Sequence, residues 1–148
     1  MTTYNTTLYT NEVTNKYLQD RRDRHGPIVP IKFSATMTSP ASIGDVYNLC
    51  VVPANWRVVG LFCTTNGLAT SAGQGTTWQI GDTDDTDRLM AATDFDAVDA
   101  QGNLAYAGMG WTPTVDTVVY GTFTGLSAGA AATVGQIVSG FIFCIPGA

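Results

Sequence analysis

Past the breaker pair Gly26-Pro27, the chain is a succession of short runs rich in Val, Ile, Phe, Tyr, Trp and Thr, each bounded by Gly, Pro, Asn, Ser or Asp. The runs occupy residues 28–37, 43–52, 55–64, 76–81, 104–111, 115–124 and 134–145. β-Branched and aromatic side chains suit a pleated, half-buried surface, so each run is read as a strand. Strands of this length and spacing predict an all-β sandwich or barrel over residues 28–148. One helical candidate interrupts them. Residues 85–92 begin with acidic side chains that suit a helix N-terminus and continue into the good helix formers Leu89-Met90-Ala91-Ala92. Asn66-Gly67 opens a Gly/Ser/Thr-rich loop to about Gly75, and residues 99–103 read as a further turn.

Arg57-Val58-Val59-Gly60-Leu61-Phe62 and Phe141-Ile142-Phe143-Cys144-Ile145 are apolar at both parities. Strands of that kind are central in a sandwich or covered by a neighbouring subunit. The charge count points the same way. Only 13% of residues are Asp, Glu, Lys or Arg, against 45% hydrophobic, about half the usual charged fraction of roughly 25%. From Thr117 to Ala148 there is none at all. A membrane helix is excluded in that stretch, because Gly121, Gly125, Gly129, Gly135 and Gly140 break it and the apolar part is shorter than the ~20 residues a span needs. The reading is surface hidden between subunits.

Residues 1–27 form an N-terminal arm, rich in Thr and Asn and poor in apolar side chains. Asn11 suits the cap of one short helix to about Arg24, with too little apolar surface to be stable alone. Through Lys32 the chain has the bases Lys16, Arg21, Arg22, Arg24 and Lys32 against the acids Glu12, Asp20 and Asp23. The remainder has only Arg57 and Arg88 against nine aspartates, within a total of −5. A mildly basic arm on an acidic body suits an acidic protein surface. It lacks the dense Lys/Arg block that nucleic acid requires. The arm residues expected to make that contact are Lys16, Tyr17, Arg21, Arg22 and Arg24. No apolar run near the start resembles a signal peptide, so assembly in the cytoplasm where the chain is made is expected.

Chemistry is poorly provided for. The single histidine, His25, and the single glutamate, Glu12, both lie in the arm, and no nucleophile elbow, zincin motif or P-loop is present. Cys50, Cys63 and Cys144 are odd in number, lack a CxxC and sit in apolar runs, which predicts buried reduced thiols. The run Asp82-Thr83-Asp84-Asp85-Thr86-Asp87 is rich in oxygen ligands, but Thr93 stands where an EF-hand needs its bidentate Glu. A polar turn, with Asp side chains bonding backbone N–H groups, is the expected structure, and a loose calcium site the rival. Trp56, Trp78, Trp111 and Tyr106 are read as core or core-edge aromatics, with stacking on sugars as the rival. No cofactor or metal is expected.

Four segments together carry a resemblance: Trp56-Arg57-Val58-Val59-Gly60-Leu61, Gln79-Ile80-Gly81-Asp82, Thr86-Asp87-Arg88-Leu89-Met90 and Gly110-Trp111-Thr112-Pro113-Thr114-Val115-Asp116-Thr117. Over about residues 55–124 the chain resembles the head decoration, or cement, proteins of tailed bacteriophages. The resemblance implies a jelly-roll-like β-sandwich on the capsid exterior that bridges neighbouring capsomers. Its implied partners are the major capsid protein and further copies of itself, as a homotrimer. Residues 1–27 match nothing in that family. Two other readings stand beside it: a small jelly-roll major capsid protein, for which the arm is too weakly basic, and a glycan-binding β-sandwich module.

Overall fold

The computed structural model describes residues 27–37, 42–68, 75–126 and 134–147. The arm, its short helix and its five candidate contact residues lie outside the described residues. Eight strands are present: β1 (Val29–Thr36), β2 (Val46–Val52), β3 (Arg57–Asn66), β4 (Thr77–Gly81), β5 (Met90–Asp94), β6 (Val98–Asn103), β7 (Thr117–Gly125) and β8 (Ile137–Ile145). They form two four-stranded antiparallel sheets. Sheet A has the order β1-β8-β3-β6, and sheet B the order β2-β7-β4-β5. Consecutive strands thus tend to alternate between sheets, the double Greek-key arrangement of a jelly roll. The expected jelly-roll-like β-sandwich is what the chain forms.

Each sheet contributes its inward parity to one core. From sheet A come Phe33, Val58, Leu61, Val138 and Ile142; from sheet B come Val52, Ile80, Val119 and Phe123. Burying each such side chain is worth about 1.5–3 kcal/mol. The centre of sheet B is an aromatic cluster. Trp78 meets Phe123 edge-on, centroids 4.8 Å apart at 85°, and Tyr47 lies 5.6 Å from Trp78. The Trp78 ring fits because Gly121 opposes it: a Cβ there would lie 1.9 Å from Trp78 Cζ2.

The charge-free final stretch now has a local explanation. Its two strands, β7 and β8, are both interior strands with a neighbour on each side. The two segments apolar at both parities fall on β3 and β8, the central pair of sheet A.

Three local expectations are corrected. The helical candidate at 85–92 is a turn leading into β5, because Met90 pairs with Ile80 of β4 and tertiary pairing overrides helix propensity. The turn expected at 99–103 lies within β6, where Gly102 pairs with Cys63. The strand expected at 104–111 is instead a 3₁₀ turn at Tyr106–Gly108. Its end still acts as a strand: Val58 N–H donates to the Trp111 carbonyl and Gly110 N–H to the Val58 carbonyl, both at 2.8 Å.

Cys63 and Cys144 are buried and Cys50 half-buried, all three as free thiols. Burial pushes the Cys63 thiol up to about 12, partly offset by a hydrogen bond with the Gly102 backbone. Cys50 is also pushed up to about 12, by burial first and then by Cys144, which burial itself raises to about 11. At pH 8 a shift of that size leaves roughly a hundred- to a thousand-fold less thiolate than an ordinary cysteine. Native chain is therefore expected to react with iodoacetamide at pH 8 far more slowly than denatured chain. Since these pKa values are raised in the fold, the stability they contribute is complete below about 9 and is lost as pH rises toward 12. A melting temperature flat from pH 6 to 8 and falling above 9 is the expected profile; a thiol labelled equally fast in both states would contradict it.

Candidate assembly surface

Because side chains alternate along a strand, the outward parity of β3 and β8 places their remaining apolar residues on the outer face of sheet A. Phe62 is directly opposite Phe141 in the ladder, and Phe141 is opposite Lys32 on β1. Phe62 and Phe141 remain 37% and 38% exposed. Phe141 stacks beside Phe143, with centroids 6.2 Å apart at 26°. Phe143 itself lies across Gly60, where the β3–β8 ladder has a bulge. A glycine there leaves room for the ring, whose Cδ2 would lie 3.1 Å from a Cβ at that position.

Toward one end of the same face a groove of about 290 Å³ continues the surface, lined by Thr64, Asn66, Val98, Asp99, Ile137 and Ser139. Asn66 Oδ1 accepts the Ile137 N–H at 2.7 Å, tying β3 to the start of β8. Toward the other end stands Arg57, opposite Ile145. Lys32 and Arg57 are exposed, and neither joins an ion pair among the described residues. The face is apolar at its centre, with the cations Lys32 and Arg57 on two sides and Asp99 at the groove end.

The loop between β4 and β5 has the opposite character. Asp82 is 2% exposed. Its Oδ1 accepts the N–H groups of Asp84 and Asp85 at 2.8 and 3.1 Å, and its Oδ2 accepts Arg88 Nε–H at 2.6 Å. Tyr120 donates its hydroxyl to the Asp82 carbonyl. The Asp82 hydrogen bond, more than any other cause, raises the Arg88 guanidinium pKa. Arg88 in turn lies 5.4 Å from the centre of the Trp111 ring. Asp82, Arg88 and Trp111 line a cleft of about 200 Å³ with Asp84, Thr112, Pro113 and Val115.

Asp84 and Asp87 stay exposed on the rim, and a hydrogen bond with Asp85 is the main reason the Asp87 carboxyl sits above its ordinary value. Packed beside the loop, the 3₁₀ turn leaves Tyr106 92% and Met109 63% exposed. The loop has the Asx bonding expected of a polar turn, without the helix. Among the described residues no group of three or more His, Cys, Asp or Glu side chains is placed to hold a metal ion.

Of the aromatics singled out by sequence, Trp78 is fully buried, Trp56 and Trp111 are half-buried against the core, and Tyr106 projects outward. Phe62, Phe141 and Phe143 belong to the two runs apolar at both parities, and the register shows which parity faces out. Among the described residues no helix is long and apolar enough to cross a membrane.

This is a jelly-roll sandwich with an apolar sheet face bordered by Lys32 and Arg57, and an acidic end. No family model and no curated protein matches the sequence. Solved structures do match in fold. A chain in the capsid of Ralstonia phage GP4 superposes with a TM-score of 0.70 at 18% identity, covering 83% of this chain and 86% of that one. A chain of the cyanophage Pam1 capsid asymmetric unit gives 0.62 at 23% identity, covering 82% and 86%. A chain in the acid-stable capsid of Helicobacter pylori bacteriophage KHP30 gives 0.52 at 22%, covering 81% and 93%. At these identities the likeness is one of fold. The shares covered are similar on both sides, so the match takes in most of each chain rather than one domain of a much larger one.

Proposed function

We propose that this chain is a non-enzymatic structural component of a phage particle: a decoration protein that binds the exterior of the shell, bridges neighbouring capsomers and associates with copies of itself. The observation that carries the reading is the fold likeness to chains of three phage capsids across most of both partners. The outer face of sheet A supports it, since exposed phenylalanines on a soluble sandwich mark a contact surface. Decoration is preferred to shell building because the arm is only weakly basic, whereas a shell lining that faces packaged nucleic acid needs dense positive charge. In this reading the arm reaches the major capsid protein through Lys16, Tyr17, Arg21, Arg22 and Arg24.

The test is re-addition of purified chain to particles from which it has been stripped by low salt or heat. Wild type is expected to rebind and to raise the temperature at which particles burst. An Arg21→Glu, Arg22→Glu, Arg24→Glu chain is expected to bind about tenfold more weakly or worse. Unchanged binding by that variant would remove the arm from the contact. Particles that never bind wild type, while a glycan array gives hits, would replace this reading with a sugar-binding one.

A further inference from the structure

We propose that the phenylalanine face of sheet A is the docking site for a second copy of this chain, which presents its acidic end. The two surfaces are complementary in both respects that matter. The face has an apolar centre, Phe62 and Phe141, flanked by the cations Lys32 and Arg57. The end has an apolar tip, Tyr106, Met109 and Val115, beside the exposed carboxylates of Asp84, Asp87 and Asp116. Both patches are fixed on one body and adjoin at Val58, which pairs with Trp111 and Gly110, so neither can fold over the other and the match is made between molecules.

Charge selects this pairing over the symmetric ones. Face against face brings Lys32 and Arg57 of both copies together, and end against end opposes two sets of aspartates; like charges brought together across an interface suppress the wrong pairing. Face against end pairs opposite signs and covers both apolar patches. Such a contact uses two different patches, so it either closes into a ring or runs on as an open chain. A ring is the outcome that matches a particle component. The inference rests on the self-association in the proposed function and not on shell binding. A monomer that still binds particles therefore overturns it alone, whereas a ring that ignores particles overturns only the particle reading.

The full-length chain is used throughout, with mass read by sedimentation velocity at low salt. Wild type is expected as a closed oligomer. A face variant, Phe62→Ser with Phe141→Ser, and an end variant, Asp84→Lys with Asp87→Lys, are each expected at the mass of one chain. Mixed in equal amounts they should form a two-chain species and stop there, because each retains one intact surface. An end variant that oligomerises like wild type overturns the proposal, since the face then meets something else, such as itself or an arm.

A second set needs no apolar change. Lys32→Glu with Arg57→Glu is expected to weaken association about tenfold or more. Adding Asp84→Lys and Asp87→Lys to that same chain should restore it. Failure to restore overturns the pairing, with matching circular dichroism spectra showing that each variant is folded.

Discussion

A Gly121→Ala chain is expected to melt about 10 °C or more below the parent, the loss of about 3 kcal/mol that severe overpacking of a core produces. A Cβ at that position lies 1.9 Å from Trp78 Cζ2 and 2.3 Å from Cε2. Neither side can yield cheaply. Trp78 is fully buried and held edge-on by Phe123 and against Tyr47, while Gly121 is pinned in β7 between Tyr47 of β2 and Ile80 of β4. A rigid indole with aromatic neighbours cannot swing aside as a lysine would. The measurement is thermal unfolding by circular dichroism or scanning calorimetry. Wild-type stability in the variant would mean that the Trp78 cluster is loosely packed. A milder effect is expected from Gly60→Ala, where the nearest atom, Phe143 Cδ2 at 3.1 Å, belongs to a ring on the outer face.

Removal of one buried carboxylate is expected to have a comparable effect. Asp82→Ala is expected to destabilise the fold by about 3 kcal/mol, because it strips an acceptor from two backbone N–H groups and leaves the Arg88 guanidinium only its longer 3.9 Å contact with Asp85. That figure takes the low end for a broken buried pair, since the Arg88 side chain is 23% exposed and water can reclaim part of its charge. Asp82→Asn separates the contributions. It keeps an oxygen for the N–H groups of Asp84 and Asp85 and loses the ion pair, so about half the effect should remain. Asp84→Ala, on the exposed rim, should change stability by less than about 0.5 kcal/mol. Urea denaturation of the four chains reads the series, and equal losses for the alanine variants at 82 and 84 would contradict it.

The core of the fold was legible because its strands obey local rules. β1, β2, β3, β4, β7 and β8 fall within a few residues of runs chosen by β-branched and aromatic content alone. The missed elements are those whose identity is set by neighbours. Met90-Ala91-Ala92 has helical propensity, yet β4 offers it a ladder and Met90 fills the core against Cys63, with Sγ and Sδ 3.5 Å apart. Gly102 reads as a turn residue, but its missing side chain is what makes room for that same pair: a Cβ would meet Met90 Sδ at 2.1 Å and Cys63 Sγ at 2.8 Å. The outer face of sheet A was half legible. Apolar residues at both parities of β3 and β8 marked strands that are central in a sandwich or covered by a neighbouring subunit. Which residues form it depended on the bulge at Val58/Gly60, which shifts the ladder and which no local pattern announces.

The order of strands along the chain differs from their order in space, and this bears on how the protein is made. β8 is the last of the eight strands, yet it sits between β1 and β3 in sheet A. Until β8 has left the ribosome, β1 has no ladder partner and β3 is bare along one edge. Phe141 and Phe143 also arrive only with this strand, so the outer face cannot exist on a partial chain. In the proposed self-association that face is therefore closed to copies still lacking β8, and completion of the final strand becomes the checkpoint for joining another copy.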